Sequence, residues 1–328
     1  MKFLIAGLGS IGRRHLNNLL ALGQTDIVLY RTHQSTLGDE GLQGFPVEQD
    51  IQKALSLKPD AVIISNPTAL HMEVAVPAAM SGCALFIEKP LASIPDDLQQ
   101  LESILEEKGN IVFSAFQFRF NPGLRKIDQI LKDSKYGKPI SFESYWGEYL
   151  PDWHPWEDYR KSYSANHALG GGVVRTLCHP FDYLRWLFGE PAGLFAVTGK
   201  ASTLELDVED FAEVIINFRN GLTGHLHLDY YRKPVRHDLE ITCGDGVLFW
   251  DHASSNVKVL KADKSEEIFT APEGFERNQM FLDEIRHFIN LVERKEPKIC
   301  DFSDGKKALQ LAMSVLHSGH YKRRVIFD

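Results

Sequence analysis

Three groups of residues in this chain have the types and spacing to do chemistry. Gly7-x-Gly9-x-x-Gly12 follows an apolar run and opens a helical stretch. In a strand–turn–helix setting the first glycine permits the tight turn. The second lets the backbone approach a pyrophosphate, and the third allows close packing of helix on strand. Ser10 and Ile11 begin the helix, whose N-terminal N–H groups hold phosphate. Such a site usually carries an acid about 20 residues on, for the ribose 2′-hydroxyl. Here the second strand ends Tyr30-Arg31-Thr32 instead. An arginine suits a 2′-phosphate, so Arg31 and Thr32 favour NADP; an NAD pocket that tolerates a solvated Arg31 is the alternative. The second group is Glu88-Lys89-Pro90, directly after another apolar run. Ligands of open α/β sheets bind outside the carboxyl ends of the strands, and a partly desolvated lysine there exchanges protons near neutrality. Taken alone, such a lysine is more often a solvated loop residue. The third group is His179-Pro180-Phe181-Asp182. Pro180 suits the first position of a helix and Gly189 its stop. His179 then stands at the helix entrance with Asp182 on the same side, a pair able to fix a histidine tautomer or address hydroxyls. A helix cap is the simpler reading of His179 alone.

The elements that must position these residues follow from pattern. Phe3–Gly7, Asp26–Tyr30, Asp60–Ser65, Ala84–Glu88 and 111–116 are short apolar runs. Helical stretches at 11–22, 70–81 and 94–108 separate several of them, stopped by Gly23, Gly82 and Gly109. Continuous apolar strands between helices predict a doubly wound parallel sheet buried on both faces. Beyond residue 120 the texture changes. One helix is expected over 121–133, then long alternating strands. Arg219-Asn220-Gly221 and Gly244-Asp245-Gly246 are hairpin turns, so these strands are antiparallel. Ala212, Val214, Ile216, Phe218, Leu226, Leu228 and Tyr230 share one face; Glu213, Asn217, His225, His227 and Asp229 share the other. Two helices close the chain, over 278–294 and 303–320. The expected architecture is a nucleotide-binding domain, 1–120, and an α+β domain with a large open sheet, 121–328.

Composition narrows the classes. The chain has 328 residues, 44% hydrophobic and 24% charged, with a net charge of −8. This excludes a disordered, fibrous or disulfide-rich protein. An acidic chain is a poor sequence-independent nucleic-acid binder. Cys83, Cys178, Cys243 and Cys300 lie far apart with no metal-like spacing, so reduced thiols and no metal are expected. No apolar run approaches a membrane span, and the N-terminus lacks a signal-peptide layout. A cytoplasmic protein with neither nucleic-acid nor membrane partners is expected.

Taken together, the pieces resemble the glucose–fructose oxidoreductase/inositol dehydrogenase/rhizopine-catabolism (Gfo/Idh/MocA) family. The resemblance runs from GLGSIGRRHLNNL at the start through SNPTALH (65–71), EKPLA (88–92) and FRFNP (118–122) to GGGVVRTLCHPFDYLRWLFG (170–189). It implies an N-terminal Rossmann domain and a C-terminal domain with a large, mainly antiparallel sheet, substrate binding between them. It implies that Lys89 is the catalytic lysine, next to a cis bond before Pro90. Ser65, Asn66, Pro67, Thr68, His71 and Glu88 correspond to cofactor-lining positions. His179 matches the active-site histidine, Asp182 its HxxD partner, and Arg119 falls within FRFNP.

One departure stands out. Family members often carry an Asp three or four residues before the histidine, where this chain has Thr176 and Arg175. Lys89 therefore acts alone or with His179, and Arg175 either meets an anionic substrate group or sits in a salt bridge. The aromatic-rich stretch 149–172 resembles the branch associated with bacterial surface-sugar biosynthesis. Trp153, Trp156, Tyr159, Arg160 and Tyr163 are candidates for contact with a sugar, or for packing around the sheet. The reading is an NAD(P)-dependent oxidoreductase acting on a sugar, sugar derivative or cyclic polyol. A non-catalytic dinucleotide-binding sensor, and an isomerase or epimerase with a recycled cofactor, are the alternatives. The His-bearing sheet face is expected to pair subunits into a homodimer or homotetramer.

Overall fold

The computed structural model describes residues 1–32, 38 and 40–327. The chain divides into two compact units: 1–117 with 168–170 and 277–309, and 118–167 with 171–276 and 310–328. A linear cut at residue 120 thus misses a return of the chain to the first unit.

The first unit begins with β1 (Phe3–Ala6), α1 (Ser10–Ala21), β2 (Ile27–Tyr30), β3 (Val47–Glu48), α2 (Ile51–Ser56) and β4 (Ala61–Ile64). It continues with α3 (His71–Met80), β5 (Ala84–Glu88), α4 (Gln99–Lys108) and β6 (Val112–Ala115). The six strands form one sheet in the order β3-β2-β1-β4-β5-β6, and every pairing is parallel. All residues of β1, β4, β5 and β6 are buried, as a sheet covered on both faces requires. In α1, Gly12, His15, Leu16 and Leu19 face inward at helical spacing. The helix expected over 94–108 is divided: Ile94 is extended, Pro95–Leu98 is a 3-10 turn, and α4 starts at Gln99. Two elements went unforeseen, β3 and α2; Asp50 caps α2 by accepting from the Gln52 and Lys53 N–H groups.

The second unit contains α5 (Pro122–Lys132), β7 (Pro139–Tyr149), α6 (Val173–Thr176), α7 (His179–Phe188), β8 (Pro191–Gly199), β9 (Phe211–Phe218) and β10 (Thr223–Asp229). Then follow β11 (Tyr231–Cys243), β12 (Gly246–Asp251), β13 (Val257–Lys261) and β14 (Glu266–Phe269). After α8 (Arg277–Val292) and α9 (Phe302–Tyr321), β15 (Val325–Ile326) completes the second sheet. Its nine strands run β14-β13-β12-β11-β7-β10-β9-β8-β15. Only the β7–β10 pairing is parallel, so the sheet is mixed and mostly antiparallel. Both expected hairpins form, β9 with β10 and β11 with β12.

Ala212, Val214 and Ile216, with Leu226 and Leu228, are fully buried. The opposite face holds Phe195, Val197 and Ile215, 39–50% exposed. It also holds a polar group in which His227 and Asp229 are buried while Glu213 remains partly exposed. His227 Nδ1–H donates to Glu213 Oε1 at 2.7 Å and His227 Nε2–H to Asp229 Oδ2 at 2.9 Å. The Tyr145 ring stacks on His227 at 4.2 Å. These side chains bury one another, which is why His227 and Asp229 are 7% and 0% exposed on a polar face.

The four cysteines are buried and free. No helix among the described residues is long and apolar enough to cross a membrane.

Candidate active-site residues

In the first unit the strand order sets the site. Ala6 pairs with Ile64 and Ile64 with Ile87. The turns after β1, β4 and β5 therefore lie side by side at the carboxyl ends of neighbouring strands, and they carry Gly7, Ser65–Asn66 and Glu88–Lys89.

The glycine requirements are visible in the packing. Gly7 has φ +93°, and a Cβ there would lie 2.4 Å from the Asn66 nitrogen. A Cβ on Gly12 would lie 1.9 Å from the Gly7 carbonyl oxygen. Gly9 differs: a Cβ there would meet nothing within 4 Å. It is the N-cap of α1, and no side chain caps the helix. Open space before an uncapped helix N-terminus is a cradle for phosphate. These residues fit an NAD(P) pyrophosphate, with Ser10 and Ile11 in the first turn of the helix.

Beyond β2, Arg31 is 6% exposed and lines a cavity of about 360 Å³ with Gln43, Phe45, Val47 and others. Its Nη2–H donates to the Gly38 carbonyl at 3.2 Å. Arg13, not foreseen from the sequence, donates from its guanidinium to the carbonyls of Gly38 and Glu40. Two guanidinium groups thus reach one segment. Thr32, next to Arg31, is exposed.

The Ser65 hydroxyl donates to the Ala6 and Gly7 carbonyls at 3.1 and 2.9 Å, tying β4 to the Gly-rich turn. Asn66 Nδ2–H donates to the Leu70 carbonyl at 2.9 Å. Pro67 precedes the 3-10 turn that starts at Thr68, which is 3% exposed. The His71 ring lies between the Leu91 and Asn66 carbonyls, at 3.2 and 3.0 Å. It braces the loop after β4 against the loop after β5. Burial pushes His71 below its ordinary value against those bonds.

Glu88 faces inward and is 7% exposed. Its Oε1 accepts from His15 Nε2 at 2.7 Å and its Oε2 from the Lys89 N–H at 3.2 Å. Burial acts to raise its pKa, but the bond and charge of His15 with the charge of Lys89 hold it below the usual value. Glu88 thus anchors the residue before Lys89 to the glycine-motif helix. Lys89 itself is half-buried, and the bond to Pro90 is cis.

In the second unit α7 starts at His179 with Pro180 at its first turn, and ends at Gly189 with φ +89°. His179 is 2% exposed among rings: Phe118 edge-on at 4.8 Å and Trp146 stacked at 5.6 Å. His237, which sequence reasoning did not single out, stacks on Trp146 at 4.1 Å and 4°. Asp182 accepts a bidentate pair from Arg119, Nε to Oδ2 at 2.8 Å and Nη2 to Oδ1 at 2.7 Å. These two expected substrate contacts are therefore a buried ion pair with each other.

Arg175 is 7% exposed and its Nη1–H donates to the Gly171 carbonyl at 3.1 Å. Burial lowers its pKa, opposed by the charge of Glu209. Glu209, also not foreseen, accepts from the Val174 N–H at 3.1 Å, and burial raises its pKa. Thr176 is buried nearby; the buried Tyr230 hydroxyl donates to the Ser164 carbonyl at 3.4 Å, and the Trp153 ring meets Tyr230 edge-on at 5.6 Å. The half-buried Tyr163 also bears on Tyr230. Trp156 is 66% exposed. Arg160 is taken up by Asp158 at 2.8 Å and Glu205 at 3.0 Å, and Tyr159 accepts from the Glu205 N–H.

A family model described as "Oxidoreductase family, NAD-binding Rossmann fold" matches residues 1–116. A second, "GFO/IDH/MocA C-terminal domain", matches residues 124–249. The myo-inositol 2-dehydrogenase of Thermotoga maritima is 26% identical over 99% of this chain and 98% of its own. Levoglucosan dehydrogenase in complex with NADH and L-sorbose is similar in structure, with a TM-score of 0.88. It is 18% identical, over 100% of this chain and 99% of that one. The WlbA dehydrogenase from Bordetella pertussis, in complex with NADH and UDP-GlcNAcA, has a TM-score of 0.84 at 18% identity, with 100% and 99% coverage. At these identities the two structural likenesses speak to the fold.

Proposed function

This chain belongs to the Gfo/Idh/MocA family of NAD-binding oxidoreductases, and from that premise we propose that it oxidises or reduces a hydroxyl-bearing carbon of a sugar, sugar derivative or cyclic polyol. The observation that carries the reading is the placement of Lys89. It follows β5 directly, beside the Gly7 and Asn66 turns, and its neighbour Glu88 is bonded to His15 of the phosphate-binding helix. The substrate class is supported by the relatives' names: a myo-inositol dehydrogenase and a levoglucosan dehydrogenase.

When bound, the nicotinamide supplies the hydride acceptor or donor. The chain's own residues manage the proton. Lys89 Nζ takes the proton of the substrate hydroxyl in oxidation and returns it in reduction. His179, held rigid by the Phe118 and Trp146 rings, positions the substrate or assists proton transfer. The Arg119–Asp182 pair supports the α7 entrance instead of offering a loose charge. Arg175 and Glu209 stand together where the substrate unit departs from the family's common Asp, and Arg175 reads an anionic or hydroxyl group. Residues 1–120 bind the dinucleotide and 121–328 bind substrate, with α8 and the first part of α9 returning to support the cofactor unit. Arg31, with Arg13, selects NADP. The Phe195, Val197 and Ile215 side chains beside the His225–Glu213–His227 group form the contact with a second copy of this chain.

The test is Lys89→Ala, assayed by absorbance at the nicotinamide band across a panel of sugars and polyols. Loss of a general acid/base is worth typically 10²–10⁴-fold, and a loss of that size in kcat is expected while NADPH binding persists. Full turnover by the variant would refute the mechanism. Thermal stabilisation by sugars, without redox change in the unaltered protein, would favour a sensor.

A further inference from the structure

The residue beneath Lys89 is held by more than His15. Helix α8 packs on α1: the Arg14 guanidinium lies 4.4 Å from the Phe281 ring, and Asn278 Nδ2–H donates to Asn18 Oδ1 at 3.0 Å. In this seam Glu284 of α8 is 0% exposed, and neither of its carboxyl oxygens has a hydrogen-bond partner among the described residues. One carboxyl oxygen of Glu284, one of Glu88 and a ring nitrogen of His15 lie within 4.8 Å of one another.

A bare buried carboxylate is too costly to persist, so either a cation or a proton neutralises Glu284. The geometry decides between them. His15 Nε2 and Glu88 Oε1 are 2.7 Å apart, a direct hydrogen bond. Two ligands held about 2.0–2.2 Å from one metal ion sit farther apart than that. The Arg14 guanidinium also bears on both carboxyl groups, which disfavours a second cation. Protons are left.

We propose that Glu284 is a positioning residue that acts through Glu88: it remains a neutral carboxylic acid, so that the seam holds one carboxylate charge, placed on Glu88 behind Lys89. The pair holds one proton, and it stays on Glu284, as like charges at close range require. Supporting this, burial and then the charge of Glu88 push Glu284 well above the usual carboxyl range, against Arg14. The ionisable groups bearing on the pair are Arg14 and His15 from α1, His71 from α3, Lys89 after β5, and Arg277 through Arg14. The inference rests on the reading of Lys89 as the acid/base.

The experiment compares Glu284→Gln, Glu88→Gln and the double variant. In the pH profile of kcat/KM for oxidation, Glu284→Gln keeps the midpoint of the acid limb. Glu88→Gln shifts it little, because Glu284, relieved of its like charge, ionises in its place. The double variant has no carboxylate to stabilise the Lys89 ammonium, so the limb moves about one pH unit down. A second readout does not involve Lys89. An infrared C=O band of a protonated carboxyl group is expected at neutral pH in the unaltered protein and in Lys89→Ala, and is lost in Glu284→Gln. Equal shifts in Glu88→Gln and the double variant overturn the positioning role, as does absence of the band. One equivalent of Mn²⁺ or Zn²⁺, retained by the unaltered protein and lost in Glu284→Gln, overturns the proton assignment. Full turnover by Lys89→Ala with the band intact condemns the Lys89 reading instead.

Discussion

Gly9 and Gly12 stand three residues apart in one motif, and substituting alanine at each should produce opposite signatures. At Gly12 the new Cβ would lie 1.9 Å from the Gly7 carbonyl oxygen and 2.8 Å from the Ser65 hydroxyl. The first contact is with backbone, so no rotamer change relieves it. The Gly7 carbonyl also accepts from Ser65 at 2.9 Å, so moving it disturbs the link between β1 and β4. Overpacking of this kind costs about 1–3 kcal/mol, and the backbone contact puts Gly12→Ala at the upper end. At roughly 2–4 °C per kcal/mol for a chain of this size or somewhat smaller, a fall in Tm of about 5–10 °C is expected without cofactor.

Gly9→Ala meets nothing in the chain. Gly9 has φ −71° and ψ −167°, which alanine adopts readily, so Tm should move by less than about 2 °C. The cost appears only when cofactor binds. If the added methyl displaces the pyrophosphate from one or two charged hydrogen bonds of about 1.5–3 kcal/mol each, affinity falls by at least tenfold. Differential scanning fluorimetry of the free protein and calorimetric titration with NADPH and NADH separate the two effects. Unchanged dinucleotide affinity in Gly9→Ala would refute the phosphate cradle. An unchanged Tm in Gly12→Ala would refute the packing argument.

Arg31→Asp should lower the NADP/NAD affinity ratio by tenfold or more through loss of a charge-assisted phosphate contact; an unchanged ratio in binding titrations would leave Arg13 as the discriminator. Asp182→Asn should cost about 3–5 kcal/mol in urea unfolding, because it breaks a buried bidentate pair, and a loss below 1 kcal/mol would show that the pair is not structural. The bonds and charges of Asp229 and Glu213 outweigh burial and raise His227 above its ordinary value. That contribution to stability is full below the unfolded value near 6.5 and is lost as pH rises through the raised folded value. Glu213→Gln should therefore flatten the fall of Tm above pH 6.5, with the His227 titration followed by NMR; an unchanged slope would exclude this histidine as its source.

What could be read from the sequence was what local pattern dictates. The strands ending at Ala6, Ile64 and Glu88 are continuous apolar runs buried on both faces, so the Gly-rich turn and Lys89 fell at strand ends without further information. The hairpin at Asn220-Gly221 likewise follows from two residues. Strand β3 is two residues long, and α2 is a six-residue helix whose only strong local signal is Asp50; both were missed for that reason. The Arg119–Asp182 pair joins residues 63 apart, and no spacing rule reaches across that distance. Asp182 was read as the partner of His179 because only the i, i+3 relation was visible.

Helix α8 shows where pattern reading stops. Periodicity over 278–294 says that one face is buried; it does not say against what. The face carries Met280, Phe281, Ile285 and Phe288, which any core would accept, and also Glu284, which an ordinary core would not. A glutamate on the apolar stripe of a helix calls for neutralisation, and here a proton supplies it, because the ionised Glu88 of the strand that carries Lys89 disfavours a second carboxylate charge beside it. The contacts that seat α8 on α1 are instead Arg14 on the Phe281 ring and Asn278 on Asn18. Net charge makes the same point on a larger scale. A chain at −8 pairs its buried Glu88, Asp182 and Asp229 with His15, Arg119 and His227, so the acidic excess predicts little about the sites within.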